Sequence, residues 1–357
     1  MKLFVGVDLH KHQMTVCIKS LEKSFADIYW EFSTKKEGYV KFRDLLIRLS
    51  QPEEVEIAVE STGNTRYFKR ELERYGFKVH VVNTLKFKVI NESINKTDKH
   101  DARTLAEFLS KELIPEVKLC KEDSKNLRDL LKHRSVLKKS LVTLKNQIHG
   151  ILLGIGIETK NGQLNTKKGR TKTLEQIEDP IKKAIVSGII KSIDTMENLI
   201  SEIELELSKL TEKDEVVRIL RTIPGCGFIT SITLRAYIDD INKFSSYKKL
   251  SSYCGLVPWV QNSADKERYG GITKRGSKEL RTAFVQVSIG MIRIKKESAN
   301  RYVKSYKKMK KLKGSGKAII ATSRKLSKLV WVLLKNGIDY DTLKAKDLLE
   351  ENNRFVA

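Results

Sequence analysis

Four carboxylates stand where their spacing allows metal chemistry. Asp8 closes the apolar run Leu3-Phe4-Val5-Gly6-Val7, and Glu60 closes Glu56-Ile57-Ala58-Val59. Asp98 and Asp101 lie three apart at the start of a helical stretch, a spacing that puts both on one helix face. Strand ends on one side of a sheet converge, so Asp8 and Glu60 approach each other if their strands are neighbours. Carboxylates gathered in one place repel and raise one another's pKa unless cations lie among them. Hard oxygen ligands in this number suit Mg²⁺ or Mn²⁺, the ions that serve phosphodiester displacement. Each acid also has an ordinary use. Asp98 and Asp101 can be first-turn carboxylates favoured by the helix dipole, and Glu60 can cap the following helix. His10, His12 and His100 flank these acids and are expected to stay outside the catalytic set.

The second chemical signal is charge. The 357 residues include 69 Lys and Arg against 44 Asp and Glu, a formal net charge of +25. Residues 1–115 carry 20 basic and 17 acidic side chains, whereas residues 243–335 carry 24 basic and only 4 acidic ones. Such one-signed density repels itself without a polyanion, and nucleic acid is the partner it fits. Lys266, Arg268, Lys274, Arg275 and Arg281 are the candidate phosphate contacts. The segment Ile223-Pro224-Gly225-Cys226-Gly227 stands between two helical stretches. Such a turn either presents backbone N–H groups and a helix N-terminus to a phosphate, through Gly225 and Gly227, or simply joins two packed helices.

The elements that must position these residues follow from periodicity. Leu3–Asp8, Met14–Ile18 and Ile28–Phe32 read as three strands in meander, with Lys11-His12-Gln13 as a tight link. A helix over 39–49, a strand over 56–60, a helix over 64–75 closed by Gly76, a strand over 77–82 and a helix over 101–111 follow. That order is the order of a ribonuclease-H-like fold. No GxGxxG or GxxxxGK[ST] occurs, which excludes the common nucleotide-binding loops. Helical spacing without proline runs over 121–153, and again over 181–210, predicting two long helices in a coiled-coil hairpin or an ordinary bundle. Between them Thr159–Thr173, with four Lys and one Arg, reads as a loop. From 216 onward the chain reads as mostly helical and basic.

Other classes fall away. No run approaches about 20 uncharged apolar residues, so no membrane span is expected. Met1–Asp8 meets a carboxylate too early for a signal-peptide core. Cys17, Cys120, Cys226 and Cys254 form no CxxC pair and read as separate thiols of a reducing cytoplasm. A cytoplasmic, nucleoid-associated protein is the expectation.

Several motifs carry a resemblance. Gly6-Val7-Asp8-Leu9-His10-Lys11, Glu60-Ser61-Thr62-Gly63-Asn64 and Lys96-Thr97-Asp98-Lys99-His100-Asp101-Ala102 resemble the DEDD transposases of insertion-sequence families 110 and 1111 and their invertase relatives. Ile223-Pro224-Gly225, Gly255-Leu256-Val257-Pro258 and Gly271-Ile272-Thr273-Lys274-Arg275-Gly276 with Leu280-Arg281 resemble the C-terminal transposase domain of that family. The resemblance implies a RuvC-like domain binding Mg²⁺ or Mn²⁺ through Asp8, Glu60, Asp98 and Asp101, and a serine that attacks the DNA phosphodiester. It implies double-stranded DNA as donor and target, a noncoding bridge RNA as guide, and homo-oligomers (dimer, tetramer on DNA) that share sites. The serine at the matching position is Ser263, in Asn262-Ser263-Ala264 where family members usually show Ser-Ser-Gly.

The expected division is a RuvC-like domain over 1–118, a helical hairpin over 119–212, a transposase domain over 213–340 and a tail over 341–357. The expected function is an RNA-guided transposase. The alternatives are a junction-type nuclease or DNA invertase using metal-activated water, and a catalytically silent nucleic-acid scaffold. A serine is a poor nucleophile without a base or metal, and no histidine lies near Ser263 in sequence.

Overall fold

The structure is a computed structural model. It describes residues 1–343 apart from 23, 85, 88–96, 264–265 and 295–299; within 260–269 and at 300 it describes backbone alone. The chain divides into two units, Met1–Leu119 and Cys120–Ala357.

Unit one is built on a five-stranded sheet. Strands β1 (Leu3–Leu9), β2 (Gln13–Ser20) and β3 (Ile28–Ser33) form an antiparallel meander. The first hairpin is closed by the His10 N–H donating to the Gln13 carbonyl at 2.9 Å. After α1 (Lys36–Leu49), β4 (Val55–Glu60) returns parallel to β1. After α2 (Thr65–Glu73), β5 (Lys78–Val82) adds parallel to β4, and α3 (Asp98–Ser110) follows. The sheet order is β3-β2-β1-β4-β5. Both faces are covered, and strand alternation decides what covers them. Leu3, Val5, Val7 and Leu9 enter one core with Phe42 and Leu46 of α1 and Phe68 and Leu72 of α2. Phe42 and Phe68 are fully buried, each stabilising the fold by about 2–3 kcal/mol.

The alternate residues Phe4, Gly6 and Asp8 face α3. Phe4, Ala58 and Val82 pack on Leu105 and Leu109, and Cys17 packs on Ala102 and Ala106. Gly6 is what lets the helix lie directly on the sheet. A methyl group there would meet the Ala102 carbonyl oxygen and stand 2.5 Å from the Ala106 nitrogen.

Unit two is mostly helical. It runs α4 (Glu122–Leu153), α5 (Lys167–Glu175), α6 (Pro180–Thr211), α7 (Glu215–Arg221), α8 (Phe228–Ile238) and α9 (Tyr247–Tyr253). A two-stranded sheet, β6 (Pro258–Ser263) and β7 (Lys266–Ile272), precedes α10 (Lys278–Arg293), α11 (Asn300–Lys313) and α12 (Ser315–Asn336). The 32-residue helices α4 and α6 share one apolar core through Leu127, Leu141, Ile148, Val186, Ile193 and Leu207. Among the described residues, no helix is long and apolar enough to cross a membrane.

One expectation is corrected here. The segment read as a loop over Thr159–Thr173 contains most of α5. Thr166 caps that helix by accepting from the Gly169 N–H at 3.1 Å. Arg170, 1% exposed, binds the Leu164 carbonyl at 3.0 Å, Asp194 at 2.7 Å and Glu197 at 2.9 Å. Polar composition suggested a loop, but a buried cation paired to two acids of α6 pulls the segment into the fold. The stretch after residue 216 is mostly helical, as its periodicity predicts, with β6 and β7 pairing antiparallel between α9 and α10.

Candidate metal centre and nucleic-acid interface

The acidic cluster is assembled by the sheet and by α3. In the parallel ladder Val7 pairs with Val59, so Asp8 and Glu60, one residue on, project from the same face of adjacent strands. The loops beyond them are stitched together. The Asn64 amide donates to the His10 carbonyl at 2.9 Å, and the Thr65 hydroxyl donates to the Glu60 carbonyl at 2.6 Å. On the helix side, Thr97 is the N-cap and accepts from the His100 N–H at 3.2 Å, which places Asp98 and Asp101 in the first turn. Ala102 rests on Gly6, so Asp98, one turn earlier, reaches the end of β1 beside Asp8.

His10 completes the group. Its Nε2 lies 3.1 Å from Asp8 Oδ2 and 3.5 Å from Asp98 Oδ1. One ligand atom from each of Asp8, His10 and Asp98 lies within 4.8 Å of the others. Glu60 and Asp101 stand outside that tight trio, although Asp8 feels the charge of Asp101. Burial pushes the Asp8 carboxyl above the usual range; Asp98 and Asp101 push the same way, while His10 opposes them. The donor set, two carboxylates and an imidazole with further carboxylates beside them, could hold a divalent metal ion. His10, expected to stay outside the catalytic set, stands within reach of both Asp8 and Asp98. The turn after β1 folds it back over the acid two residues earlier, and the tight Lys11-His12-Gln13 link was the signal for that.

The basic half is less completely placed. Ser263 ends β6 and is paired in backbone register with Lys266 of β7, as Gln261 is with Arg268. The side chains of Ser263, Lys266 and Arg268 lie outside the described residues, as do residues 344–357 of the expected tail. Lys274 and Arg275 are exposed in the loop beyond β7, Lys274 with φ +51°. Arg281, expected as a phosphate contact, turns inward and donates from Nη1 to the carbonyls of Lys274 at 3.3 Å and Cys254 at 3.4 Å. It braces the loop that displays Lys274 and Arg275.

The Pro-Gly-x-Gly turn serves packing at one glycine and stays open at the other. Gly225 has φ +83°, and a Cβ there would stand 2.6 Å from the Gly290 carbonyl carbon of α10. Gly227 is the N-cap of α8 with no side-chain cap bond, and a Cβ there would meet nothing within 4 Å. Arg221, Pro224, Gly225, Gly227 and Asp341 help line a cleft of about 430 Å³ at this turn. Burial pushes the Cys226 and Cys254 thiols up to about 12, which makes both inert at neutral pH.

Comparison with known proteins gives the class. Residues 5–157 match the transposase family of the IS110 DEDD type, and residues 217–304 match the transposase IS116/IS110/IS902 family. The transposase for insertion sequence element IS1111A of Coxiella burnetii is 26% identical over 287 residues, 80% of this chain and 79% of that protein. The transposase for IS1328 of Yersinia enterocolitica is 28% identical over 282 residues, 79% and 84% of the two chains. The pilin gene-inverting protein of Moraxella bovis is 25% identical over 355 residues, 95% and 98%. The chain belongs to the IS110-type transposase family, whose enzymes cut and join DNA strands.

Proposed function

We propose that this protein is an RNA-guided insertion-sequence transposase whose ribonuclease-H-like unit carries a divalent-ion site and whose nucleophile is Ser263. The observation that carries the reading is the convergence of Asp8, His10 and Asp98 at the ends of β1 and α3, in a chain of a transposase family. Asp8, Asp98 and His10 hold Mg²⁺ or Mn²⁺, with Glu60 and Asp101 as further ligands. Bound there, the ion supplies Lewis-acid stabilisation of phosphoryl charge. The protein's own contribution is to fix the acids through Gly6, the Thr97 cap and the Asn64–His10 bond, and to bind phosphates. Lys266, Arg268, Lys274 and Arg275 clamp the backbone, Arg281 holds their loop, and the amides beside Gly227 receive a further phosphate. Gly225 serves by packing that turn on α10.

The partners in this reading are double-stranded donor and target DNA, a bridge RNA, and further copies of the chain in dimers and tetramers. The functional division is 1–118, 119–212, 213–340 and 341–357, with α4 and α6 as a coiled-coil hairpin, and the site of action is the bacterial or archaeal cytoplasm. Ser263 attacks phosphorus as the P–O bond to the leaving sugar oxygen breaks, and the phosphoserine ester conserves the bond energy for rejoining. The similarity to a pilin gene-inverting protein favours a second reading, DNA inversion by the same chemistry.

The test is a denaturing gel. Wild-type protein stopped during reaction retains DNA as a covalent adduct, whereas Ser263→Ala binds DNA and RNA normally and forms neither adduct nor recombinant. Cleavage by Ser263→Ala at the normal rate would replace the serine with metal-activated water. Sequencing the RNA that co-purifies with the protein identifies the guide, and recovery of no specific RNA would sink that part.

A further inference from the structure

The described part of the molecule contains few buried polar atoms without a partner, and one of them stands beside the acidic cluster. Thr15 of β2 is 0% exposed, and its Oγ1 is buried with no hydrogen bond. In the β1–β2 ladder Thr15 lies directly opposite Asp8. Opposed residues of an antiparallel pair share a face, with Cβ atoms about 4.5–5.5 Å apart, within reach of a hydroxyl and a carboxylate. The neighbours of Thr15 on β2, Met14, Val16, Cys17 and Ile18, are all apolar and buried. A valine would fill the same space, suit a strand equally well and leave no unpaired hydroxyl. A hydroxyl kept at that point fits a state in which it has an acceptor.

We propose that Thr15 is a positioning residue for the divalent-ion site: with the ion bound, its hydroxyl donates to the Asp8 carboxylate oxygen and holds that ligand's orientation. The proposal rests on the reading of Asp8 as an ion ligand. In the present structure Asp8 Oδ2 is engaged by His10. When the carboxylate turns to a cation, Thr15 is the group across the ladder that can fix it. Groups that orient a metal ligand in this way are worth about tenfold to a hundredfold in ion affinity.

The test uses the full-length protein without nucleic acid, with Mn²⁺ binding followed by electron paramagnetic resonance and thermal melting recorded with and without the ion. Thr15→Val is expected to melt at or above the wild-type temperature without metal, because it removes an unpaired hydroxyl. It is expected to bind Mn²⁺ at least about tenfold more weakly. Thr15→Ser keeps the hydroxyl and is expected to bind close to wild type. Wild-type affinity in Thr15→Val, alongside loss of binding in Asp8→Asn, would overturn the role of Thr15 and leave the ion site standing. Equal weakening in both Thr15 variants would assign the effect to packing of the methyl group and also overturn the proposal. Wild-type affinity in Asp8→Asn would instead overturn the ion site itself.

Discussion

Gly6→Ala separates the geometry of the acidic cluster from its chemistry. The added methyl group would sit 2.5 Å from the Ala106 nitrogen and 3.0 Å from the Ala102 carbonyl carbon. The Ala102 carbonyl oxygen would be closer still, and heavy atoms at rest lie about 3.5 Å apart, so α3 must retreat from β1 by more than about 1 Å. Overpacking of this kind costs about 1–3 kcal/mol, against which alanine's lower chain entropy returns less than about 1 kcal/mol. A net loss near 2 kcal/mol lowers the melting temperature of unit one by about 10 °C. The functional effect is sharper, because α3 carries Asp98 and Asp101 whereas β1 carries Asp8. Their separation grows with the retreat, and ion affinity falls by roughly tenfold to a hundredfold. The assay is calorimetric melting of the full chain together with Mn²⁺ titration. Gly63→Ala is the control, since a Cβ there would meet nothing within 4 Å. Wild-type melting and wild-type Mn²⁺ affinity in Gly6→Ala would refute the argument that this contact sets the distance between the acids.

Asp8→Asn should stabilise the protein in the absence of divalent ions. The folded state raises the Asp8 carboxyl through burial and through Asp98 and Asp101, so it holds the proton more tightly than the unfolded chain does. Ionising Asp8 therefore costs stability as pH rises through and above the ordinary carboxylate range. The advantage of Asn is present at neutral pH and disappears in acid, where both states are protonated; melting curves against pH would show it. Added Mn²⁺ reverses the order, because only the wild type gains binding energy. Lys274→Ala with Arg275→Ala should weaken binding to all nucleic-acid sequences alike and reduce the salt slope by about one or two units. An unchanged slope in a salt titration would remove the pair from the interface.

Much of unit one was legible in the sequence because its signals are local. The acid-terminated apolar runs Leu3–Asp8 and 56–60 mark strands, and the parity that turns Val7 to one core also turns Asp8 toward α3. Helical spacing marked α4 and α6 just as directly, because each buries a continuous apolar stripe. What escaped depends on contacts distant in sequence. Nothing in Lys167–Glu175 announces a helix until Arg170 meets Asp194 and Glu197. The bonds from Arg281 to the Cys254 and Lys274 carbonyls are likewise beyond what composition can reveal. His10 was visible as a residue but not as a neighbour of Asp98, 88 positions along the chain, because only the seating of α3 on Gly6 brings the two together.

In the proposed function the acidic cluster is a divalent-ion site required for breaking DNA strands. The most direct measurement compares strand cleavage by wild type, Asp8→Asn and Asp98→Asn, each carrying its co-purified RNA, with Mg²⁺ or with chelator. Cleavage is expected from wild type with Mg²⁺ alone, and none from either variant although both still bind nucleic acid. Wild-type rates in chelator, or undiminished cleavage by Asp8→Asn with Mg²⁺, would contradict it.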